Sequence, residues 1–572
     1  MYDLVIRGAT LVDGTGRDAR QADVAVRDGR VAFVGDARDP ARETVDAGGL
    51  VLAPGIIDIH THYDAQITWD STLSPSPSLG VTTAVIGNCG FGIVPAPAAT
   101  RDLVIRNLSV VEGMDLDALR TGINWDFESF SEYMASLRRR GAYANVAVLA
   151  GHSTIRTAVM GEDASQRKQA TADELALMKA MVADAMAHGA IGLGASYSLN
   201  HSGFGGVPMP STITDLSELE QLVGAMGPRG KGVIAIASGV KTPEELEPIA
   251  AKHGRPFFQG TGVAMYNEQA PDRAIGIFES CAAALRRGNG LYVQIPCQPL
   301  SFDFTMANAY PFYSQPAFDP IKAYTPEQLT AVFRDHSWRN KFRDNLKQPR
   351  AGMIFQGNWD RVMVAVTHKE TNARYVNRYA AEIAATEGRD PLDVVLDLAL
   401  DENLQTAYLG RFLNVGDDGV AHLLKHEAGV VALSDAGAHL IYMCDAGFGL
   451  HFLARWVRER GDFDLVEGVR RLSSHPADLY GIPDRGRLVP GAHADMLLFD
   501  PATVGVSPAE RVADLPGGGR RTIRRPIGVH GVYCNGVRTF DGTRYVPHAK
   551  GPGAILDRFN HSRGAHLAQA AE

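Results

Sequence analysis

Apolar runs of strand length alternate with stretches of helical spacing through most of this chain. The strand candidates are 56–62, 82–87, 145–150, 190–195, 232–237, 257–261, 291–296 and 430–434. Helical patterns occupy 171–187, 243–253, 271–287, 325–335, 377–386 and 450–460. The first of these opens on Thr171-Ala172-Asp173-Glu174, an N-cap residue with an acid three positions on. Eight strands with helices between them predict a closed (β/α)8 barrel rather than an open sheet.

The two ends of the chain read differently. Residues 3–52 are short β-type runs such as Leu4-Val5-Ile6-Arg7 and Val31-Ala32-Phe33-Val34, punctuated by Asp13-Gly14, Asp28-Gly29 and Gly48-Gly49. They predict a small antiparallel unit. The runs 494–500, 531–536 and 543–546 repeat the style near the C-terminus. The two segments are expected to pair into one small β domain. The organisation expected is therefore a β domain from 1–53 and 485–550, a barrel over 54–484, and a tail over 551–572. The aromatic and polar stretch 298–350, after the seventh strand, reads as an inserted lid or crossover. The tail is polar and expected to pack loosely.

Bulk properties narrow the class. A chain of 572 residues exceeds the size at which single cores stop growing, about 250–300 residues, so a large domain with an accessory one is natural. A net charge of −9 gives no support to nucleic-acid or anionic-membrane binding. No apolar run approaches the ~18 residues of a membrane span. The first seven residues read as a strand, not as a signal peptide. Five scattered cysteines (Cys89, Cys281, Cys297, Cys444, Cys534) suit reduced thiols in a cytoplasm better than a disulfide framework.

Chemistry is expected where barrel strands end. The first strand closes on Asp58-Ile59-His60-Thr61-His62. Strand alternation has period two, so His60 and His62 share a side and can reach one divalent cation. The second strand ends Gly87-Asn88-Cys89-Gly90, which offers either a thiolate ligand or an inert buried cysteine. The third ends Gly151-His152-Ser153. The eighth ends Ser434-Asp435-Ala436-Gly437-Ala438-His439. A carboxylate closing an apolar run is costly unless paired or metal-bound, which singles out Asp435. A cation held by neutral imidazoles lowers the pKa of bound water and polarises a carbonyl. A carboxylate opposite can carry the proton to the leaving nitrogen.

These motifs, with Gly80-Val81-Thr82-Thr83, Gly151-His152-Ser153-Thr154-Ile155-Arg156 and Gly491-Ala492-His493-Ala494-Asp495, run in order through nearly the whole chain. The sequence resembles the metal-dependent amidohydrolases of the N-acyl-D-amino-acid deacylase (D-aminoacylase) branch, in a longer subgroup. The resemblance implies a distorted (β/α)8 TIM barrel with a small β-sandwich from both termini, and zinc, with another divalent metal as the alternative. By the same resemblance His60, His62 and Cys89 are metal ligands, and Asp435 is both ligand and general acid/base. It implies hydrolysis of the amide bond of an N-acyl amino acid.

The departures shape the expectation. The branch carries a metal-binding histidine on strand five and another on strand six. Here those segments read Gly232-Val233-Ile234-Ala235-Ile236-Ala237-Ser238-Gly239 and Arg255-Pro256-Phe257-Phe258-Gln259-Gly260-Thr261-Gly262, without one. No lysine closes strand four. One zinc per chain is therefore expected, on His60, His62 and Asp435 with Cys89 as the fourth donor. Asn88, His152, His201 (in a loop shared with the longer subgroup) and His439 are candidate substrate contacts. His201 reads equally as a surface loop residue, and His439 as a helix cap or an oxyanion donor. The lysine and arginine that bind the substrate carboxylate in the branch are missing from their places. Phe355, Trp359 and the aromatic stretch 302–318 read either as core packing or as the wall for a larger, less anionic substrate. Two other readings stand beside the first: a hydrolase of a cyclic amide or other C–N or ester bond, and a metal-poor, non-catalytic relative. A small-molecule substrate is the partner expected, and self-association stays open.

Overall fold

The computed structural model describes residues 1–260, 265–322, 324–348, 353–440 and 444–561. By contact the chain divides into two compact units, 1–264 with 272–297 and 421–572, and 265–271 with 298–420.

The first unit opens with strands β1 (Tyr2–Leu11), β2 (Arg20–Arg27), β3 (Arg30–Gly35), β4 (Ala41–Asp46) and β5 (Val51–Pro54). β1 pairs antiparallel with β2 but parallel with both β4 and β5. The N-terminal unit is thus mixed, not antiparallel as expected. The short connections hide this, because β4 and β5 return along β1 only after β2 and β3 have run out and back. The barrel strands follow as β6 (Ile56–Asp58), β7 (Val81–Ile86), β8 (Asn145–Gly151), β9 (Gly192–Ser196), β10 (Val233–Ala237), β11 (Phe257–Gly260) and β12 (Leu291–Ile295). Six of the seven fall within a residue or two of the predicted runs, and β6 stops at Asp58, four residues before the expected end at His62; the last residue expected for the sixth, Thr261, lies outside the described residues.

The second unit carries β13 (Leu300–Phe304), β14 (Val362–Val366) and β15 (Ala407–Leu413), an antiparallel sheet in the order β13-β15-β14. It extends to residue 420, well past the insertion drawn around 298–350. Its strands pair across about 40 and about 100 intervening residues, so no hairpin signal announces them. Its aromatics form its own core: Phe355 is buried with its ring 4.7 Å from Phe312 and 5.4 Å from Phe412.

The first unit resumes with β16 (Gly429–Val431), the eighth parallel strand, in the order β16-β12-β11-β10-β9-β8-β7-β6. The ends of this sheet meet at a parallel bridge between Thr61 and Ala436, which gives the distorted (β/α)8 barrel. Ile57, Ile59, Val85, Leu149, Phe258 and Val430 form one buried apolar cluster with Tyr480 and Ile482. Then come β17 (Met496–Phe499), the short strands β18 (Gly505–Val506), β19 (Glu510–Val512), β20 (Arg521–Ile523) and β21 (Pro526–Ile527), and finally β22 (Val529–Cys534) and β23 (Val537–Phe540). β17 lies between β5 and β22, so both termini build one eight-stranded sheet. Of the run 543–546, a single bridge from Tyr545 to Phe540 remains.

The tail departs from expectation. β8 pairs with β9 only from Leu149 onward, which leaves the backbone of Val146 open on that side. The tail takes the place: Val146 N–H donates to Ala554 at 2.9 Å, Leu556 N–H donates to Val146 at 2.8 Å, and Leu556 and Phe559 pack against the barrel core. Residues 562–572 of the expected tail lie outside the described residues. Among the described residues no helix is long and apolar enough to cross a membrane.

Candidate metal centre

β6 ends at Asp58, yet its path continues to the mouth. Thr61 N–H reaches Val85 O at 3.1 Å, His62 N–H reaches Ala436 O at 2.7 Å, and Asp435 N–H reaches His60 O at 3.2 Å. Alternation therefore persists beyond the regular strand, and the His60 and His62 rings lie on one side with centroids 5.4 Å apart. Asp58 fixes this turn from behind by accepting from Ser434 Oγ at 2.5 Å and from His60 N–H at 3.3 Å. Burial raises its carboxyl to about 7 against those hydrogen bonds.

Ligand atoms of His60, His62 and Cys89 all lie within 4.8 Å of one another, and all three residues are buried. Cys89 Sγ is 3.6 Å from His60 Nε2. Across the mouth, Asp435 Oδ1 lies 3.0 Å from His62 Nε2 and 3.5 Å from His60 Nε2, and Oδ2 lies 3.4 Å from His439 Nε2. Cys89, Leu433, Asp435 and His439 all adopt left-handed backbone (φ 54°, 67°, 54° and 54°), where residues with a Cβ are strained. Such strain persists only where the surroundings dictate it, and it collects at functional sites. At Gly437 (φ +91°) a Cβ would sit 2.7 Å from the carbonyl carbon and oxygen of His62. Only glycine lets the strand-eight loop run this close to the backbone of His62.

Electrostatics separate the donors. Burial lowers His60 to about 4 and raises Cys89 to about 11. Burial would lower His62 as well, but the Glu112 and Asp435 carboxylates override it and hold the ring well above its ordinary value. Asp435 is the converse case: burial opposes its charge, and hydrogen bonds from His439 and His62 hold the carboxyl far below the ordinary range.

The structure brings His60, His62, Cys89, Asp435 and His439 together. His201 packs its ring edge on Phe91 at 5.1 Å and contacts Ser196 Oγ at 2.7 Å. Burial lowers its ring to about 3, and it feels His439, Asp435, His62 and His60 electrostatically, so it borders the same cluster. The other two expected substrate contacts each engage one side-chain atom internally and leave the other, Asn88 Oδ1 and His152 Nδ1, buried without a partner. Asn88 is fully buried and donates to Val85 O at 2.9 Å and Thr61 O at 3.3 Å, stitching the first two strands. His152 is fully buried with Nε2 on Glu218 Oε1 at 2.8 Å, in a network completed by Arg156.

Sequence reasoning missed two polar partners. His60 Nδ1 meets Gln294 Oε1 on β12, and His62 Nδ1 meets Glu112 Oε1 at 3.2 Å. A glutamine within the buried run Leu291-Tyr292-Val293-Gln294-Ile295 was a readable signal. Glu112, at the end of helix Arg101–Val111, has no spacing that ties it to the motifs. On strand six, Gln259 turns away to Cys281, its Nε2 3.0 Å from Sγ. Gly260 faces the centre instead: a Cβ there would lie 3.3 Å from His60 Cε1. Two imidazoles, a thiol and a carboxylate converging at these distances form a donor set suited to a zinc-like cation.

The amidohydrolase family model matches residues 43–289 and 350–540. D-aminoacylase of Alcaligenes xylosoxydans xylosoxydans is 28% identical over 554 residues, covering 94% of each chain. A solved D-aminoacylase, described by a binuclear metal centre with one-metal activation and second-metal attenuation, superposes with a TM-score of 0.65 at 26% identity, covering 98% of this chain and 100% of that one. N-acyl-D-glutamate deacylase from Bordetella bronchiseptica, solved with zinc and a phosphonate mimic of the tetrahedral intermediate, superposes with a TM-score of 0.63 at 25% identity, covering 97% and 100%.

Proposed function

This chain belongs to the amidohydrolase family, hydrolases of C–N bonds other than peptide bonds, and within it we propose that it deacylates N-acyl amino acids with one zinc ion per chain. The observation that carries the reading is the convergence of His60, His62 and Cys89 on one side of the mouth with Asp435 on the other. The relatives named above, which act on N-acyl-D-amino acids, favour the D-series.

His60, His62, Cys89 and Asp435 would hold the ion. A bound divalent cation supplies a Lewis acid that polarises the scissile carbonyl and makes water nucleophilic near neutral pH. The rest falls to side chains. Asp435, with Oδ2 3.4 Å from His439 Nε2, takes the proton from the attacking water and returns it to the leaving amine nitrogen as the C–N bond breaks. Paired with Asp435, His439 is held above the usual imidazole range and supplies an N–H to the oxygen that gains charge. His201, neutral at working pH, offers a ring nitrogen to the substrate amide. The absence of imidazoles from strands five and six supports a single ion.

The test is metal analysis joined to a substrate screen. Zinc-loaded protein is expected to bind one equivalent and to release free amine from N-acyl-D-amino acids faster than from L-isomers, dipeptides or cyclic amides. Preference for cyclic amides overturns the substrate class. Substoichiometric metal in metal-replete preparations, with no hydrolysis of any amide, overturns the whole reading.

A further inference from the structure

Glu112 lies outside every motif and yet is buried against the centre. Its carboxylate oxygen Oε1 lies 3.2 Å from His62 Nδ1, and its backbone carbonyl accepts from His439 N–H. It arrives from the segment between β7 and β8, so it joins a first-strand imidazole to the strand-eight loop. We propose that Glu112 is the positioning residue of the centre: it fixes the His62 tautomer and ring angle so that Nε2 presents its lone pair to the cation. The inference rests on the metal reading above.

The two imidazoles make the argument by contrast. An amide oxygen can only accept, so Gln294 Oε1 requires the proton on His60 Nδ1 and frees Nε2 toward Cys89 and Asp435. His62 is placed alike, with Nδ1 3.2 Å from Glu112 Oε1 and Nε2 3.0 Å from Asp435 Oδ1, but the group facing its Nδ1 is a carboxylate. A carboxylate on the far nitrogen both orients a ligating ring and strengthens it as a donor. With strands five and six contributing no imidazole, His62 has no second histidine pair to share the load. A buried acid is otherwise hard to account for, because among the described residues no arginine or lysine pairs with Glu112 to offset the cost of burial.

Zinc affinity, read by competition with a chromophoric chelator, tests this on the full-length wild type and on Glu112→Gln, Glu112→Asp and Glu112→Ala. Partners removed from a ligating histidine typically cost about 10–100-fold in affinity, and Ala is expected to lose that much. Gln keeps an acceptor oxygen at the same reach and should stay within about fivefold of wild type. Asp keeps the charge but draws the oxygen back by one methylene, so it should fall about tenfold or more. The reverse order, with Asp near wild type and Gln as weak as Ala, makes Glu112 a direct ligand or a mere counter-charge and overturns the proposal. So does an Ala variant within about twofold of wild type. If Ala does not fold, the Gln–Asp order decides alone. His62→Ala is the control: if it binds zinc like wild type, or if wild type takes up none, the metal reading itself has failed.

Discussion

Gly437→Ala offers a sharp probe, because the structure also supplies its control. The added methyl would stand 2.7 Å from the His62 carbonyl carbon and oxygen and 3.0 Å from Tyr63 N, all of them backbone atoms with no rotamer to yield. Ordinary contact begins at 3.4 Å, so the two segments must part by about 0.7 Å. Gly491 has nearly the same backbone (φ +92° against +91°) with nothing within 4 Å of its Cβ. Alanine in the left-handed region costs roughly 1–2 kcal/mol at either place. Overpacking adds about 1–3 kcal/mol at Gly437 alone, and it falls on the hydrogen bond from His62 N–H to Ala436 O that aligns ligand and base. Gly491→Ala should therefore bind zinc and turn over like wild type. Gly437→Ala should lose about tenfold or more in zinc affinity, measured by the same competition assay, with kcat/KM falling alongside. Equal zinc affinity and equal kcat/KM for the two variants would refute the claim that the loop's approach positions the donors.

Asp435→Asn should retain the fold and abolish turnover; substantial remaining kcat in the zinc-loaded variant removes Asp435 from the proton path. Asp495 is buried with Arg485 and also accepts from Asn145 Nδ2 at 3.1 Å and Asn535 N–H at 2.8 Å, which joins the terminal sheet to the barrel. Asp495→Leu strands the guanidinium and should cost about 3–5 kcal/mol in denaturant unfolding, and Arg485→Met in the same chain should recover much of it. A double variant no better than the single contradicts this. Asp393 is held below its ordinary pKa because Arg339 and Arg343 outweigh its burial. A depressed carboxyl stabilises the fold above the unfolded value near 3.9, and that contribution disappears as pH falls through the lower folded value. Asp393→Asn should therefore lower stability at pH 7 and flatten its decline below about pH 4; an unchanged acid limb shows that the pair contributes nothing. The pair is part-exposed, so solvent screening keeps the effect small.

What could be read in advance followed local physics. The barrel strands are buried on both faces, so most of each reads as apolar, and the two imidazoles appear at strand spacing. Asp435 stood out as a charge closing such a run. What could not be read depends on contacts between distant segments. β13, β14 and β15 find one another across intervening helices, β4 and β5 return parallel to β1, and the tail is drawn to a gap in the β8 ladder. Glu112 is the clearest case: nothing within ten residues of it marks it as facing a histidine 50 positions earlier. Asn88 and His152 stand at strand ends, where substrate contacts are expected; Asn88 Nδ2 and His152 Nε2 are held by internal partners, whereas Asn88 Oδ1 and His152 Nδ1 have none.

The pairing of Val146 with residues 554–556, together with β17 between β5 and β22, also bears on how the molecule comes to exist during synthesis. Neither the terminal sheet nor the barrel floor has all its partners until residues 529–556 have left the ribosome. The early strands must wait with their edges unmatched, a state in which sticky intermediates accumulate. A premature stop near residue 490 would thus yield a chain with every metal donor present and no finished scaffold to hold them.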